Sequence, residues 1–434
     1  MLKKIFGTFG TRLLCVLISF GLVIVNTNYF HAEGVGTIGL FVLGISILQI
    51  FTSVLGSDSI VYTLPRYDHF QIIFIAYLSS IIINLIGSGI MFIFKLIPME
   101  YFGLFIFSTI CVSFYSINMQ ILLSKKKIAL YNICSLMQIV MLAIWLCYFI
   151  FIRNHQQVSS YFIAYSLSYL IITIISIIPA IKGTQYKGFS GICDLLKQLA
   201  KYGITIQLAN LAQMLNYRLN YYIIEFCSGR KALGIYDLGT KLSESMWILP
   251  KSISTIQYTH ISNCHNDKQY AKKITLAFTK LSIYFALIAI IVLLCLPKEI
   301  FAFIFGPEFI EVKPVLYVLG IGIFIFSANV ILAHYFSGLG KFKINTIASI
   351  IGLIVTTVLG FASIPLLKSL PYLQALTLVG IITSISYTTS CIYSFICFKK
   401  DADVTLKDFL LQKEDFYLLQ VEIKKTFNRN EEKR

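Results

Sequence analysis

The residues able to do chemistry gather in one part of an otherwise apolar chain. Arg218, Asp237, Lys241 and Glu244 fall inside stretches long enough to cross a membrane. There each charge costs about 2.5–3.5 kcal/mol near mid-bilayer, so intramembrane charge points to a pathway or a ligand. Asp237, Lys241, Glu244 and Lys251 stand at i, i+4, i+7 and i+14, one face of a helix. On the preceding stretch Gln207, Asn210, Met214, Tyr217, Arg218 and Tyr221 fall within about a third of the helical circumference. Arg218 and Lys241 each lie six residues from the outer ends of their spans, about 9 Å deep at 1.5 Å per residue. The two cations can therefore face one aqueous cavity and hold an anion there. Gln207, Asn210 and Tyr217 would line it, and Asp237 and Glu244 are candidates for ion coupling. The plainer alternative is a self-neutralising structural cluster of Asp237, Lys241 and Glu244. For Lys251 and Lys280 the plainer reading is preferred: amines reaching back to the membrane surface.

Other chemistry finds no support. None of the six histidines stands at i, i+4 with a carboxylate, so no metal site is expected. GxSxG, Walker and HExxH patterns are absent, and no cofactor is expected. The ten cysteines contain no CxxC pair and lie mostly in apolar stretches, the usage of a small hydrophobe. The 26 tyrosines suit interfacial belts, or stacking on sugars.

The elements that must position these residues are membrane helices. Charged residues make up 13% of the chain and apolar ones 57%, far from the quarter charged share of a soluble domain. The sequence predicts an all-α polytopic protein with spans at 8–30, 35–57, 70–94, 102–123, 128–152, 158–181, 202–224, 235–256, 274–297, 314–336, 344–366 and 373–397. The first is expected to be a retained span, since no small-residue cleavage site follows it. With the N-terminus inside, 25 Lys and Arg fall on the inner side and 7 in outer loops, which predicts cytoplasmic termini. The net charge of +16 is spread over short loops and the tail rather than over a soluble face, which argues against nucleic acid.

The chain also reads as two halves. Gly36 matches Gly234 at an offset of 198; Ser116, Asn118, Lys125 to Lys127, Asn132 and Ser135 match Ser327, Asn329, Lys341, Lys343, Asn345 and Ser349 at 211–214. Six spans return the chain to its starting side, so the repeat would be parallel. The expected organisation is a six-helix bundle over 1–181, a cytoplasmic linker over 182–201, a second six-helix bundle over 202–397 and a cytoplasmic tail over 398–434. In the tail, Phe409, Leu410, Phe416, Leu419 and Ile423 can share a helical face, which suits headgroups or, alternatively, a partner enzyme.

From the seventh predicted span onward the residues resemble a known family. N-Y-R-L-N-Y-Y-I-I (216–224), L-G-I-Y-D-L-G-T-K-L-S-E-S-M-W-I-L-P (233–250), I-S (261–262), F-G-P-E-F (305–309) before Pro314, and Y-F-S-G-L-G-K-F-K (335–343) resemble the bacterial O-antigen and polysaccharide flippases (Wzx type). In the first half, G-V-G-T-I-G-L-F (34–41) and Pro65-Arg66 are the best matches. Those flippases belong to the multidrug/oligosaccharidyl-lipid/polysaccharide exporter superfamily. Many members carry Asp where this chain has Asn220.

The resemblance implies two six-helix bundles around a central cavity open alternately to each side. It implies a non-enzymatic flippase in the bacterial inner membrane. The cargo would be an undecaprenyl-pyrophosphate-linked oligosaccharide repeat unit, for O-antigen or a related surface polysaccharide, and the polysaccharide polymerase machinery a potential partner. A pyrophosphate in a low-dielectric cavity needs cations, and arginine offers a fork suited to phosphate oxygens. Asn26, Asn118, Asn210, Gln213 and Asn216 would give the sugars polar walls. The main rival is a cation-coupled multidrug exporter of the same superfamily. Many of these use a carboxylate within first-half spans, and none stands there in this chain. An O-antigen polymerase or membrane glycosyltransferase fits less well, because the longest outer loop is only 298–313.

Overall fold

Lipid leaves backbone N–H and C=O groups no partner outside the segment, so apolar stretches of this length become helices. The structure is a computed structural model describing residues 2–56, 60, 64, 67–184, 191–263, 268–404 and 408, and these contain no β-strand. The helices are α1 (Leu2–Leu55), α2 (His69–Ile93), α3 (Phe102–Ser124), α4 (Ile128–Cys147), α5 (Val158–Ile181), α6 (Ile192–Glu244), α7 (Ile248–Asn263), α8 (Lys268–Cys295), α9 (Lys298–Phe305), α10 (Val312–Gly338), α11 (Phe342–Ala362), α12 (Ile364–Ser369) and α13 (Tyr372–Ala402). A π turn, Tyr148–Ile152, extends α4, and a 3-10 turn, Ser245–Trp247, joins α6 to α7.

Among the described residues nine helical runs are long and apolar enough to span a membrane. One of them, Gly10–Leu55, holds two of the expected spans. The seventh and eighth fall on α6 and α7: α6 carries Arg218, Asp237, Lys241, Glu244 and a run of amides, and α7 has only 16 residues. Each of the twelve predicted spans thus meets a helical segment, and the chain is a multi-pass α-helical membrane protein.

Three details differ from the sequence reading. The outer loops expected at 31–34 and 225–234 shrink to single breaks, His31 (φ 57, ψ −175) and Gly229 (φ 83, ψ 177), with helix on both sides. A positive φ reverses the chain in one residue, which Gly adopts without cost and His does not. The span expected as continuous over 235–256 is interrupted by the 3-10 turn at Ser245–Trp247, so Lys251 is not on one unbroken helix with Asp237. The outer loop 298–313 contains α9 and a 3-10 turn at Pro307–Glu311.

The chain forms two compact units, 1–211 with 304–306, and 212–303 with 307–434; α6 runs from one into the other. In the first unit α3 packs on α2 and α5, and Phe41 stacks on Phe162 with ring centres 3.9 Å apart. Its polar interior includes interhelical hydrogen bonds of the kind membrane helices use: Asn118 accepts from Tyr77 and donates to the Thr173 carbonyl and to Ser176 at 3.2 and 2.9 Å. In the second unit α10 occupies the equivalent place, packed on α8 and α13.

The repeat is visible in the backbone. His31 and Gly229 stand 198 residues apart, the offset read from Gly36 and Gly234. After α3, the N–H groups of Lys125, Lys126 and Lys127 donate to the carbonyls of Ile121, Leu123 and Leu122. After α10, those of Leu339, Gly340 and Lys341 donate to Tyr335, Ser337 and Phe336, the same pattern 214 residues later. Lys126 (φ 56) and Gly340 (φ 73) supply the left-handed residue that closes each helix end.

Of the predicted linker, 185–190 lies outside the described residues and 192–201 already belongs to α6. Pro65, Arg66 and the tail face of Phe409, Leu410, Phe416, Leu419 and Ile423 also lie outside them.

Candidate functional site

The site is built on the hairpin that Gly229 creates within α6. The two arms run back along each other, so residues equidistant from the break meet. Tyr221 and Asp237, each eight residues from Gly229, are joined by a hydrogen bond from the phenolic hydroxyl to Asp237 Oδ1 at 2.7 Å. One turn deeper, Arg218 forks onto Glu244, its two terminal nitrogens each 2.7 Å from one carboxylate oxygen. The guanidinium also lies over the Tyr221 ring, 5.3 Å from its centre. Lys241 Nζ is 2.6 Å from Asp237 Oδ2. The result is one continuous chain, Glu244–Arg218–Tyr221–Asp237–Lys241.

Its solvation is uneven. The Asp237 side chain is 3% exposed while that of Lys241 is 42% exposed. Arg218 and Glu244 are partly exposed, at 24% and 19%. Beneath lies an aromatic layer of Tyr217, Trp247, Phe326 and Tyr387, with ring centres 5.0 to 5.8 Å apart. Trp247 Nε1 donates to the Ile323 carbonyl at 3.1 Å, fixing the 3-10 turn to α10. Beside the chain, Asn220 Nδ2 donates to Thr383 Oγ1 at 2.6 Å, and the Thr383 and Tyr236 hydroxyls are 2.7 Å apart.

The structure brings Arg218, Asp237, Lys241 and Glu244 together. It pairs Glu244 with Arg218, whereas the sequence reading left Lys241 to neutralise both carboxylates. The two cations and two carboxylates cancel, so neither cation is bare. Tyr217 adjoins the site and accepts from Gln213 Nε2 at 2.9 Å. Gln207 and Asn210 lie farther along α6, on the other side of the boundary between the units, where Asn210 Nδ2 donates to Gln207 Oε1 at 3.1 Å. Asn210 is exposed and Gln207 buried.

The expectations for Asn216, Asn118 and Lys280 are corrected. Asn216 and Asn118, expected as cavity walls, are buried, and Asn216 spends its carbonyl on Thr356 and Ser386 at 3.1 and 2.7 Å. Lys280 does not reach the surface but is 3% exposed in the middle of α8. Lys251 is exposed, with its amine 5.3 Å from the Trp247 ring centre. The sequence reading missed Phe326, Thr383 and Tyr387, because an aromatic or a threonine in an apolar span carries no signal of its own. Among the described residues no group of three His, Cys, Asp or Glu is placed to hold a metal ion.

A partly buried chain of opposite charges thus lies on membrane-spanning helices of the second unit. The MatE family model matches residues 197–362, which contain the whole charged chain. Several solved structures share the fold over nearly their full length. One is the inward-facing conformation of a multidrug resistance MATE family transporter of the MOP superfamily, with TM-score 0.70 and 13% identity, covering 90% of this chain and 94% of that one. Another is the lipid II flippase MurJ in an inward closed conformation, with TM-score 0.65 and 16% identity, covering 98% and 96%. A third is a MOP superfamily transporter from Pyrococcus furiosus, described as having a binding pocket of reverse polarity, with TM-score 0.61, 13% identity and coverage of 92% and 94%. No curated protein matches the chain in sequence. The chain therefore shares the fold of these transporters and of this flippase.

Proposed function

We propose that the chain is a flippase that moves undecaprenyl-pyrophosphate-linked oligosaccharide repeat units across the bacterial inner membrane by alternating access, with both termini cytoplasmic. The observation that carries this reading is the partly exposed Arg218–Glu244 and Lys241–Asp237 pair of pairs, set about two to four helical turns from Gly229. A pyrophosphate headgroup leaving water needs such cations, and the Arg218 fork matches phosphate oxygens as it matches a carboxylate. The exposed amides of Asn210 and Gln213 on the same helix suit the sugar hydroxyls. The motifs over 216–250, 305–309 and 335–343 support the polysaccharide class, and the likeness to a lipid II flippase supports a lipid-linked cargo. The polymerase that extends such units is the natural partner.

The second reading, a cation-coupled multidrug exporter, is favoured by the likeness to the multidrug resistance transporter and by the neutral charge balance of the site. In it, Asp237 and Glu244 would carry the coupling ion. Deletion of the gene in a polysaccharide-producing host separates the two. The flippase reading expects lipid-linked repeat units to accumulate on the cytoplasmic leaflet and surface polysaccharide to fall. Unchanged polysaccharide with reduced drug tolerance would replace it with the exporter.

A further inference from the structure

We propose that Glu244 is a resident carboxylate that holds the anion seat on Arg218 in the unloaded state, and that the phosphate of the cargo enters by exchange with it. The inference rests on the flippase reading above and adds how that site is kept closed and how it is emptied. Three independent observations carry it.

The first is geometric. Both oxygens of Glu244 engage both terminal nitrogens of Arg218 at 2.7 Å, the two-point contact a guanidinium also makes with phosphate. A phosphate and Glu244 therefore want the same edge of Arg218, and their like charges oppose joint occupancy.

The second is the backbone position. Glu244 is the last residue of α6, and both of its carboxylate oxygens are held by Arg218. The residue after it opens the 3-10 turn Ser245–Trp247, and such a turn inside a long helical run marks a hinge. The hinge gives the carboxylate a place to swing, while Trp247 keeps the far side fixed through its bond to Ile323.

The third is the surroundings. The carboxylate is held by Arg218 on the first arm of α6, with Tyr217 and Tyr221 of that arm, Tyr236 of the second arm and Tyr387 of α13 within electrostatic reach; the second arm also carries the Asp237–Lys241 pair, and Lys251 of α7 lies over Trp247. Apart from Arg218, the cations in this set are Lys241 and Lys251, which are exposed. Lys241, three residues before Glu244 on the same helix and already joined to Asp237, is the second seat for the displaced carboxylate. The exchange passes a negative charge from one cation to another without leaving Arg218 bare in a partly buried site. Removing the cargo reverses the hand-over, so the same carboxylate that competes with binding drives release.

The test is calorimetric titration of the purified full-length protein in detergent with inorganic pyrophosphate, alongside export measured in cells. Glu244→Gln should bind pyrophosphate at least tenfold more tightly than wild type yet export less, because release is no longer driven. Glu244→Asp, too short for the full fork, should bind with intermediate affinity and keeps the test valid if the glutamine variant does not fold. Arg218→Ala should lose binding. Equal or weaker binding by both Glu244 variants, at wild-type melting temperature, overturns the exchange while leaving the flippase reading intact. Wild-type binding by Arg218→Ala overturns the exchange and also removes Arg218 from the proposed cargo site.

Discussion

Tyr221 donates its hydroxyl to Asp237 at 2.7 Å although 16 residues separate them, because Gly229 stands midway and folds the two arms of α6 together. That contact sets the register of the hairpin. From it follow the fork of Arg218 on Glu244 and the reach of Lys241 to Asp237, so one backbone reversal places all four charges.

The reversal itself is testable. Gly229 has φ 83 and ψ 177, a region that strains any residue with a Cβ. Gly229→Ala should destabilise the purified protein by about 1–3 kcal/mol, read as a lower melting temperature. His31 holds the corresponding strained backbone in the first unit at φ 57. His31→Gly should therefore be neutral or stabilising by about 1 kcal/mol. A stable Gly229→Ala would show that the reversal is not set at that residue.

Asp237 is the most buried charge among the described residues and has two partners, Tyr221 and Lys241. Tyr221→Phe should cost about 1–2 kcal/mol by leaving one carboxylate oxygen unpaired. Lys241→Ala should cost more, about 3–5 kcal/mol, because a buried charge loses its counter-ion. Adding Asp237→Asn to Lys241→Ala should recover most of that loss, as a melting series would show. Additive losses in the double variant would mean that the two residues do not act as a pair.

Much of this was legible in the sequence. Ten of the twelve expected spans follow from apolar length, and Gly36 with Gly234 gave the offset at which the backbone breaks recur. Arg218, Asp237, Lys241 and Glu244 stood out because charge is costly in lipid. Who pairs with whom did not follow. Helical spacing joins Lys241 to Glu244 along one arm, but the partner of Glu244 comes from the other arm and depends on a one-residue reversal that reads as a ten-residue loop. Asn118 and Asn216 look alike as cavity walls or as glue, because an amide in a span serves either, and packing alone assigns them to glue. Lys280 was misplaced because a long amine can reach the surface from one face of a helix but not from the face packed inward.

The charge distribution predicts the orientation. A reporter fused after Val404 should be cytoplasmic, and a cysteine replacing Ser228, beside the Gly229 break, should react with a membrane-impermeant reagent from outside. A periplasmic reporter would invert the hairpin and its site.

Arg218 and Lys241 should differ in what they tolerate. Arg218→Lys keeps the charge but loses the fork, so export should fall partially, whereas Arg218→Ala should remove most of it. Lys241→Arg should be tolerated. Replacing Asp237 by Asn with Lys241 and Glu244 by Gln leaves a neutral second arm; normal insertion with wild-type export would make that arm structural only.

The most direct measurement is leaflet exchange of a purified undecaprenyl-pyrophosphate-linked oligosaccharide in vesicles reconstituted with the protein. Cargo reaching the outer leaflet is scored by its accessibility to an added glycosidase. Wild-type protein should move cargo well above the rate of empty vesicles, and Arg218→Ala at the same protein content should fall back to that background. Wild-type vesicles no faster than empty ones, under a proton or sodium gradient of either direction, would contradict the flippase assignment.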